Sequence, residues 1–252
     1  MSIVAMPDST HGESALEHAG AYLVAQIEEP APGSPAAAPH VPGPAITIAR
    51  ETGSGGQEVA ERLSERLQEL EPEAPAKWTV FNHRLIEQVL EDHHLPAELA
   101  PLVPEDRRSG LQERAADLLG LRSPTWKLIP DIVDTIRRLV ESGRVIIIGR
   151  GCNVITAGTP NVFHVRLVAP RGQRVEHVRR VRHASEEDAN RILDREDRGR
   201  ARYMRSYFGR EIDDPLLYHL VVNTGRMSYD EAARLIADGA EQLFARRRAA
   251  GG

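Results

Sequence analysis

Ala45-Ile46-Thr47-Ile48-Ala49-Arg50-Glu51-Thr52-Gly53-Ser54-Gly55-Gly56-Gln57-Glu58-Val59 passes from an apolar, β-branched run through a glycine-rich turn into an amphipathic segment. Glycine lets backbone N–H groups turn toward an anion, and a helix opening near Gln57 adds its positive end. Gly53, Ser54, Gly55, Gly56 and Gln57 therefore read as a cradle for a nucleotide phosphate. A tight strand-to-helix turn is the bland alternative, but three glycines in four residues exceed what one turn requires. The P-loop pattern asks for Lys and then Ser or Thr after its last glycine, where this chain has Gln57 and Glu58. A dinucleotide-binding loop fits less well, since its third glycine position, counted from Gly53, is Glu58. The only lysines, Lys77 and Lys127, are far away in sequence.

Outward from this stretch, strands and helices alternate. Val59, Leu63, Leu67 and Leu70 recur at helical spacing and predict one buried face, with Glu58 and Arg62 paired outside it. Trp78 to Phe81 predicts a second short strand, and Asn82 a cap for a helix carrying Leu85, Ile86, Val89 and Leu90. Pro96, Pro101 and Pro104 interrupt the chain before a short helix near 111–119. Ile129, Ile132, Val133, Ile136, Leu139 and Val140 predict a helix stopping at Gly143. Val145-Ile146-Ile147-Ile148 is the strongest strand signal, and Gly149-Arg150-Gly151 follows it directly. Residues 162–168 make a fourth strand, and Pro170 suits the first turn of the next helix. Ser185 with Asp188 opens a long helix through about Tyr207. Residues 220–223 form a fifth strand, after which Ser228 and Glu231 start a last helix with Ala232, Leu235, Ile236 and Leu243 inward. Five buried strands joined by helical crossovers predict an α/β fold built on a mostly parallel sheet.

The chain has 252 residues, with 41% hydrophobic and 27% charged, the composition of an ordinary globular protein. Its net charge of −5 lies in residues 1–44, which hold Asp8, Glu13, Glu17, Glu28 and Glu29 and no Lys or Arg. The rest carries equal numbers of acidic and basic residues, which argues against a nucleic-acid binder. Residues 30–44 are rich in Pro and Ala and read as a linker, preceded by a short helix over 13–29. The reading is a flexible acidic arm, 1–44, and a folded domain, 45–252, with the arm as a site for a protein partner. One cysteine, Cys152, fits a reducing cytoplasm and reads as a small buried residue. No basic-then-apolar leader is seen, and no apolar run approaches membrane-spanning length.

Three further groups carry chemistry. Ligands of α/β sheets sit beyond the carboxyl ends of strands, so Arg150 beside Gly151 is placed to meet a substrate phosphate. Between Arg171 and Arg210 the chain is dense in arginine. There Asp197, Arg200 and Met204 share one helical face, and Arg198, Arg202 and Arg205 another. A helical lid bearing such arginines neutralises charge on a transferring phosphoryl group. Asp213-Asp214 reads either as a metal ligand pair or as a turn before Pro215. His93-His94 lacks zinc-helix spacing and reads as exposed.

The run Ile46 to Gly56 resembles the opening of the cytidylate kinase-like family, a divergent branch of the P-loop kinases. So do Ile146-Ile147-Ile148-Gly149-Arg150-Gly151, Val165 to Pro170 with Arg174, Asp197-x-x-Arg200-x-x-Tyr203, and Asp214 to Thr224. The resemblance covers about Ile46 to Ile236. It implies a three-layer nucleoside-monophosphate-kinase fold with a five-stranded parallel sheet, a helical acceptor-binding insert near 82–142 and a lid near 176–200. It implies phosphoryl transfer from ATP, with Mg²⁺, to CMP or a related acceptor, through ligands for the metal that it does not name. Gly53, Ser54, Gly55 and Gly56 would line the donor phosphates, Arg150 would face the acceptor phosphate, and Arg174 and Arg200 would approach the transferring group. Against the loop of cytidylate kinases proper, the lysine position falls on Gly56 and the magnesium-binding hydroxyl on Glu58. Arg50 is the nearest cation able to replace that lysine. His219 stands where the branch tends to show Asp. The loss of lysine and hydroxyl also supports a second expectation, a nucleotide-binding regulator without turnover.

Overall fold

The computed structural model describes residues 43–74, 76–82, 124–149 and 151–250. The expected helices at 13–29, 85–90 and 111–119, the linker up to residue 42, most of the insert, His93-His94 and Arg150 lie outside these residues.

Five parallel strands form one sheet: β1 (Ala45–Arg50), β2 (Thr79–Phe81), β3 (Val145–Ile148), β4 (Val162–Val168) and β5 (Leu220–Asn223). Their spatial order is β2-β3-β1-β4-β5, with Ile46 opposite both Ile146 and Phe163. The helices are α1 (Gly56–Leu70), α2 (Pro124–Ser142), α3 (Cys152–Ile155), α4 (Arg171–Arg182), α5 (Glu186–Phe208) and α6 (Tyr229–Ala250). This is the predicted α/β architecture. β1 and β3 are apolar along almost their whole length because a central parallel strand is covered on both faces.

On one face Ile46, Ile48, Ile146, Val165 and Leu167 meet Val59, Leu63 and Leu67 of α1 and Ile236, Ala237 and Ala240 of α6. Each such fully buried branched side chain contributes about 1.5–3 kcal/mol. Alternation along the strands puts Thr47, Ile147 and His164 on the other face. Two apolar expectations fail: Leu70, at the frayed end of α1, is 40% exposed and Leu235 is 43% exposed. The inward stripe of α6 is Ala232, Ala233, Ile236, Ala237, Ala240 and Phe244, and Leu235 lies off it. Small residues let α6 approach the sheet closely; an added Cβ on Gly239 would come within 3.0 Å of the Phe163 ring.

β1 sits at the centre and the chain leaves it toward β2, with β3 and β4 on its two sides. The crevice beyond its carboxyl end is thus a topological switch point, where ligands of such sheets bind.

Candidate functional site

The glycine-rich turn occupies that crevice. Glu51 N–H donates to Leu167 O at 3.0 Å and Gly149 N–H to Ile48 O at 3.0 Å, so β3 and β4 hold the turn from both sides. Gly53 and Gly55 adopt φ of 80° and 78°, which side chains rarely tolerate. Space enforces the same choice: a Cβ on Gly53 would lie 2.5 Å from Arg174 O, and one on Gly55 2.3 Å from the Tyr229 ring. The Ser54 hydroxyl donates to Glu51 O at 2.8 Å, and Thr224 Oγ1 donates to Ser54 O at 2.9 Å. Among the described residues, the backbone N–H groups of Gly53, Gly55, Gly56 and Gln57 make no hydrogen bond. Gln57 instead uses its side chain, which donates to Glu61 and accepts from Asn82. With α1 beginning at Gly56, these amides lie at or just before a helix start, where the helix dipole favours an anion.

Thr52 is treated differently. Its N–H donates to Asp197 Oδ1 at 2.9 Å and its hydroxyl to Glu196 Oε2 at 3.0 Å. Arg174 Nη1 donates to Asp197 Oδ2 at 2.6 Å and to Thr52 O at 3.2 Å, while Nε donates to Ala169 O at 3.0 Å. Arg200 Nη2 donates to Asp197 Oδ1 at 2.5 Å and also to the Thr52 hydroxyl. Glu51 joins by accepting from Ala169 N–H at 3.0 Å, with its carboxylate 3.4 Å from Arg174. Burial opposes ionisation of Asp197, but the Thr52 N–H, Arg200 and Arg174 outweigh it and hold the carboxyl below the usual range. Both arginines are buried.

A cleft of about 270 Å³ opens over the turn, lined by Arg50, the loop glycines, Glu58, His177, Val181, Arg182 and Arg200 among others. A smaller cavity of about 20 Å³ lies behind it between Gly149, Gly151, Asn153, Tyr203 and Ile212, with Arg50 and Arg200 in its wall as well. Arg50 and Arg200 thus stand between the two spaces. Arg174 lies behind the turn as a brace and lines neither. Gly151 keeps φ at 67° and lies so close to Phe208 that a Cβ would be 2.4 Å from its ring. The capping pair Ser185 and Asp188 is present, Ser185 Oγ accepting from Asp188 N–H at 3.1 Å.

The sequence model of the cytidylate kinase-like family matches residues 45–226. The chain belongs to the cytidylate kinase-like family. No curated protein sequence matches it. Among solved structures, an uncharacterized protein from Eubacterium ventriosum is similar at 18% identity and a TM-score of 0.58, covering 79% of this chain and 98% of its own. A protein designated APE1195 aligns at 13% identity and a TM-score of 0.46, over 80% of this chain and 97% of its own.

Within this cytidylate kinase-like fold, several site details depart from expectation. Glu58 does not pair with Arg62 through its carboxylate. Arg62 donates to the Glu58 backbone carbonyl at 3.0 Å, and the Glu58 carboxylate meets His177 Nε2 of α4 at 3.2 Å. Tyr229 Oη lies 3.1 Å from His177 Nδ1, so Glu58, His177 and Tyr229 form a strap across the turn. Asp213 pairs with Arg166, and Asp214 accepts from Leu216 N–H at 2.9 Å and caps the turn Pro215–Leu217. Among the described residues no three His, Cys, Asp or Glu side chains gather into a metal cage. Cys152 is buried. Sequence reasoning passed over Thr52, Glu196, His177, Tyr229 and Asn153. Thr52 beside Gly53, Glu196 beside Asp197 and Asn153 just past Gly151 carried a local signal; His177 and Tyr229 acquire their places through contacts remote in sequence.

Proposed function

We propose that this cytidylate kinase-like protein is a cytoplasmic phosphotransferase that moves the γ-phosphate of ATP to CMP or a related nucleoside monophosphate. The row of unengaged amides on Gly53, Gly55, Gly56 and Gln57, facing the cleft, carries the reading. Four unengaged N–H groups around a helix start suit the oxygens of a donor phosphate. The hard oxygen atoms of Thr52, Glu58 and Glu196 line the same cleft and suit Mg²⁺, which binds through one or two carboxylates plus phosphate oxygens. They would hold the metal that neutralises charge on the donor phosphates. Arg50 and Arg200 would stabilise the transferring group, with Arg174 positioning the loop. Arg150 and Gly151, which follow β3, would receive the acceptor phosphate. A panel of nucleoside monophosphates with ATP and Mg²⁺ tests this by ADP release; no ADP above blank with any acceptor ends the enzymatic reading.

A second reading, a nucleotide-binding regulator without turnover, has its own support. Glu58 stands at the hydroxyl position already engaged by His177, and Asp197 already occupies the Thr52 amide. The acidic residues 1–44 would then engage a protein partner. This reading expects thermal stabilisation by nucleotide, a few kcal/mol at saturation, with no product.

A further inference from the structure

Two departures of this loop, an arginine at its start and a glycine at the lysine position, meet in space. The Arg50 side chain crosses directly over Gly56: a Cβ there would lie 3.1 Å from Arg50 Cγ, 3.5 Å from Cβ and 3.7 Å from Cδ. Any larger residue at position 56 has to share that space with the arginine stem, and a lysine would begin its side chain against it. Arg50 belongs to the last position of β1, so its Cα is fixed by pairing with Leu167 of β4. From there the side chain reaches the wall of the large cleft, alongside Gly53, Gly55 and Gly56, and the wall of the small cavity, alongside Gly149, Gly151 and Arg200. A cation in that wall lies beside the loop on which a donor phosphate would sit.

We propose that Arg50 and Gly56 are one exchanged pair. The phosphate-contacting cation has moved from the end of the loop to its start, and position 56 is glycine because the arginine passes over it. The proposal rests on the nucleotide-binding reading of the cleft and adds which residue supplies the charge and why its partner is small. Arginine changes the contact as well as its origin, since its planar fork addresses two phosphate oxygens where lysine is a point charge.

Binding of ATP with Mg²⁺, and separately of inorganic tripolyphosphate, is measured by calorimetry on the full chain and on R50G, R50K, G56K and the double variant R50G/G56K. R50G is expected to weaken both ligands at least tenfold and R50K less. G56K in the presence of Arg50 weakens them, and R50G/G56K returns to within about threefold of the parent, because R50G vacates the space the lysine needs and the lysine restores the lost charge. Arg66→Ala, on the exposed face of α1, is expected to leave binding unchanged and controls for net charge. Parent-like binding by R50G, or a double variant no better than R50G, overturns the exchange while leaving the cleft reading intact. If the parent binds tripolyphosphate but not ATP, the nucleotide reading falls and the R50G effect on tripolyphosphate still decides the exchange. If the parent binds neither, both fall. Should G56K not fold, G56A with and without R50G takes its place, and crowding by the added methyl that R50G does not relieve overturns the exchange.

Discussion

The helical pair α4 and α5 holds two populations of arginine that differ in everything except residue type. Arg174 and Arg200 are buried, share the Asp197 carboxylate and reach into the loop at Thr52. Arg171, Arg179 and Arg191 lie at the surface and pair with neighbours such as Asp194, Glu176 and Asp188. The exposed pairs trade one solvated arrangement for another and are worth little. The buried ones cannot return to water without dismantling the loop, so losing one partner strands charge in a poorly solvated place. An arginine-rich segment is therefore two things at once: a solvated face and a brace for the glycine-rich turn.

The sharpest break of this contrast is Arg174→Ala or Arg200→Ala. Each is expected to cost about 3 kcal/mol in urea unfolding, because Asp197 keeps its burial and loses a counter-charge. Arg200→Lys should recover only part, since a point charge cannot address Asp197 and Thr52 together. If either alanine variant unfolds like the parent, the buried pair is not a brace.

His164 offers the opposite solution to burying a basic group. It sits beside Thr47 Oγ1 at 2.8 Å, stacks on His219, and has its pKa pushed down from 6.5 to about 4, first by burial and then by His219. Among the described residues no carboxylate pairs with it, and it gives up the proton instead. The unfolded chain thus binds that proton first as pH falls. The stability is present above about pH 6.5 and drains away toward 4, on the order of 2 kcal/mol between pH 7 and 5. Unfolding of His164→Gln should lose this slope, and an unchanged slope would assign it elsewhere. Asp197 acts in a separate window: its lowered pKa gives stability present above the unfolded carboxylate value and lost only as pH falls through the folded one.

A smaller effect is expected at the neutral anchor of the loop. Thr224→Val removes the hydroxyl that donates to Ser54 O and should cost about 1 kcal/mol, seen as a modest fall in Tm. At the bottom of the scale, Arg191→Ala breaks two exposed pairs on α5 and should leave Tm unmoved within calorimetric error. A clear fall there would erase the distinction between the two arginine populations.

Much of the fold was legible locally. A parallel strand buried on both faces must be apolar nearly throughout, so residues 45–49 and 145–148 announced themselves. Ser185 announced its helix because capping is satisfied within four residues. The glycine-rich turn was legible for the same reason, since glycine at Gly53 and Gly55 is demanded by backbone conformation that the turn itself imposes. What failed was whatever depended on the opposing surface. Leu235 has an apolar side chain at nearly the right phase, but the stripe of α6 is decided by where the sheet lies. Glu58 had Arg62 within helical reach and took His177 instead.

The sequence alone therefore determined the strand-turn-helix at the centre of the sheet, the family and the presence of arginine near the site, because each is written in spacings of a few residues. Only the tertiary structure decided which arginines are buried, that Asp197 seats on Thr52 across 145 residues, and that Arg50 passes over Gly56. Those outcomes turn on which surfaces exclude water from which charges. That is a property of packed elements rather than of neighbours along a chain.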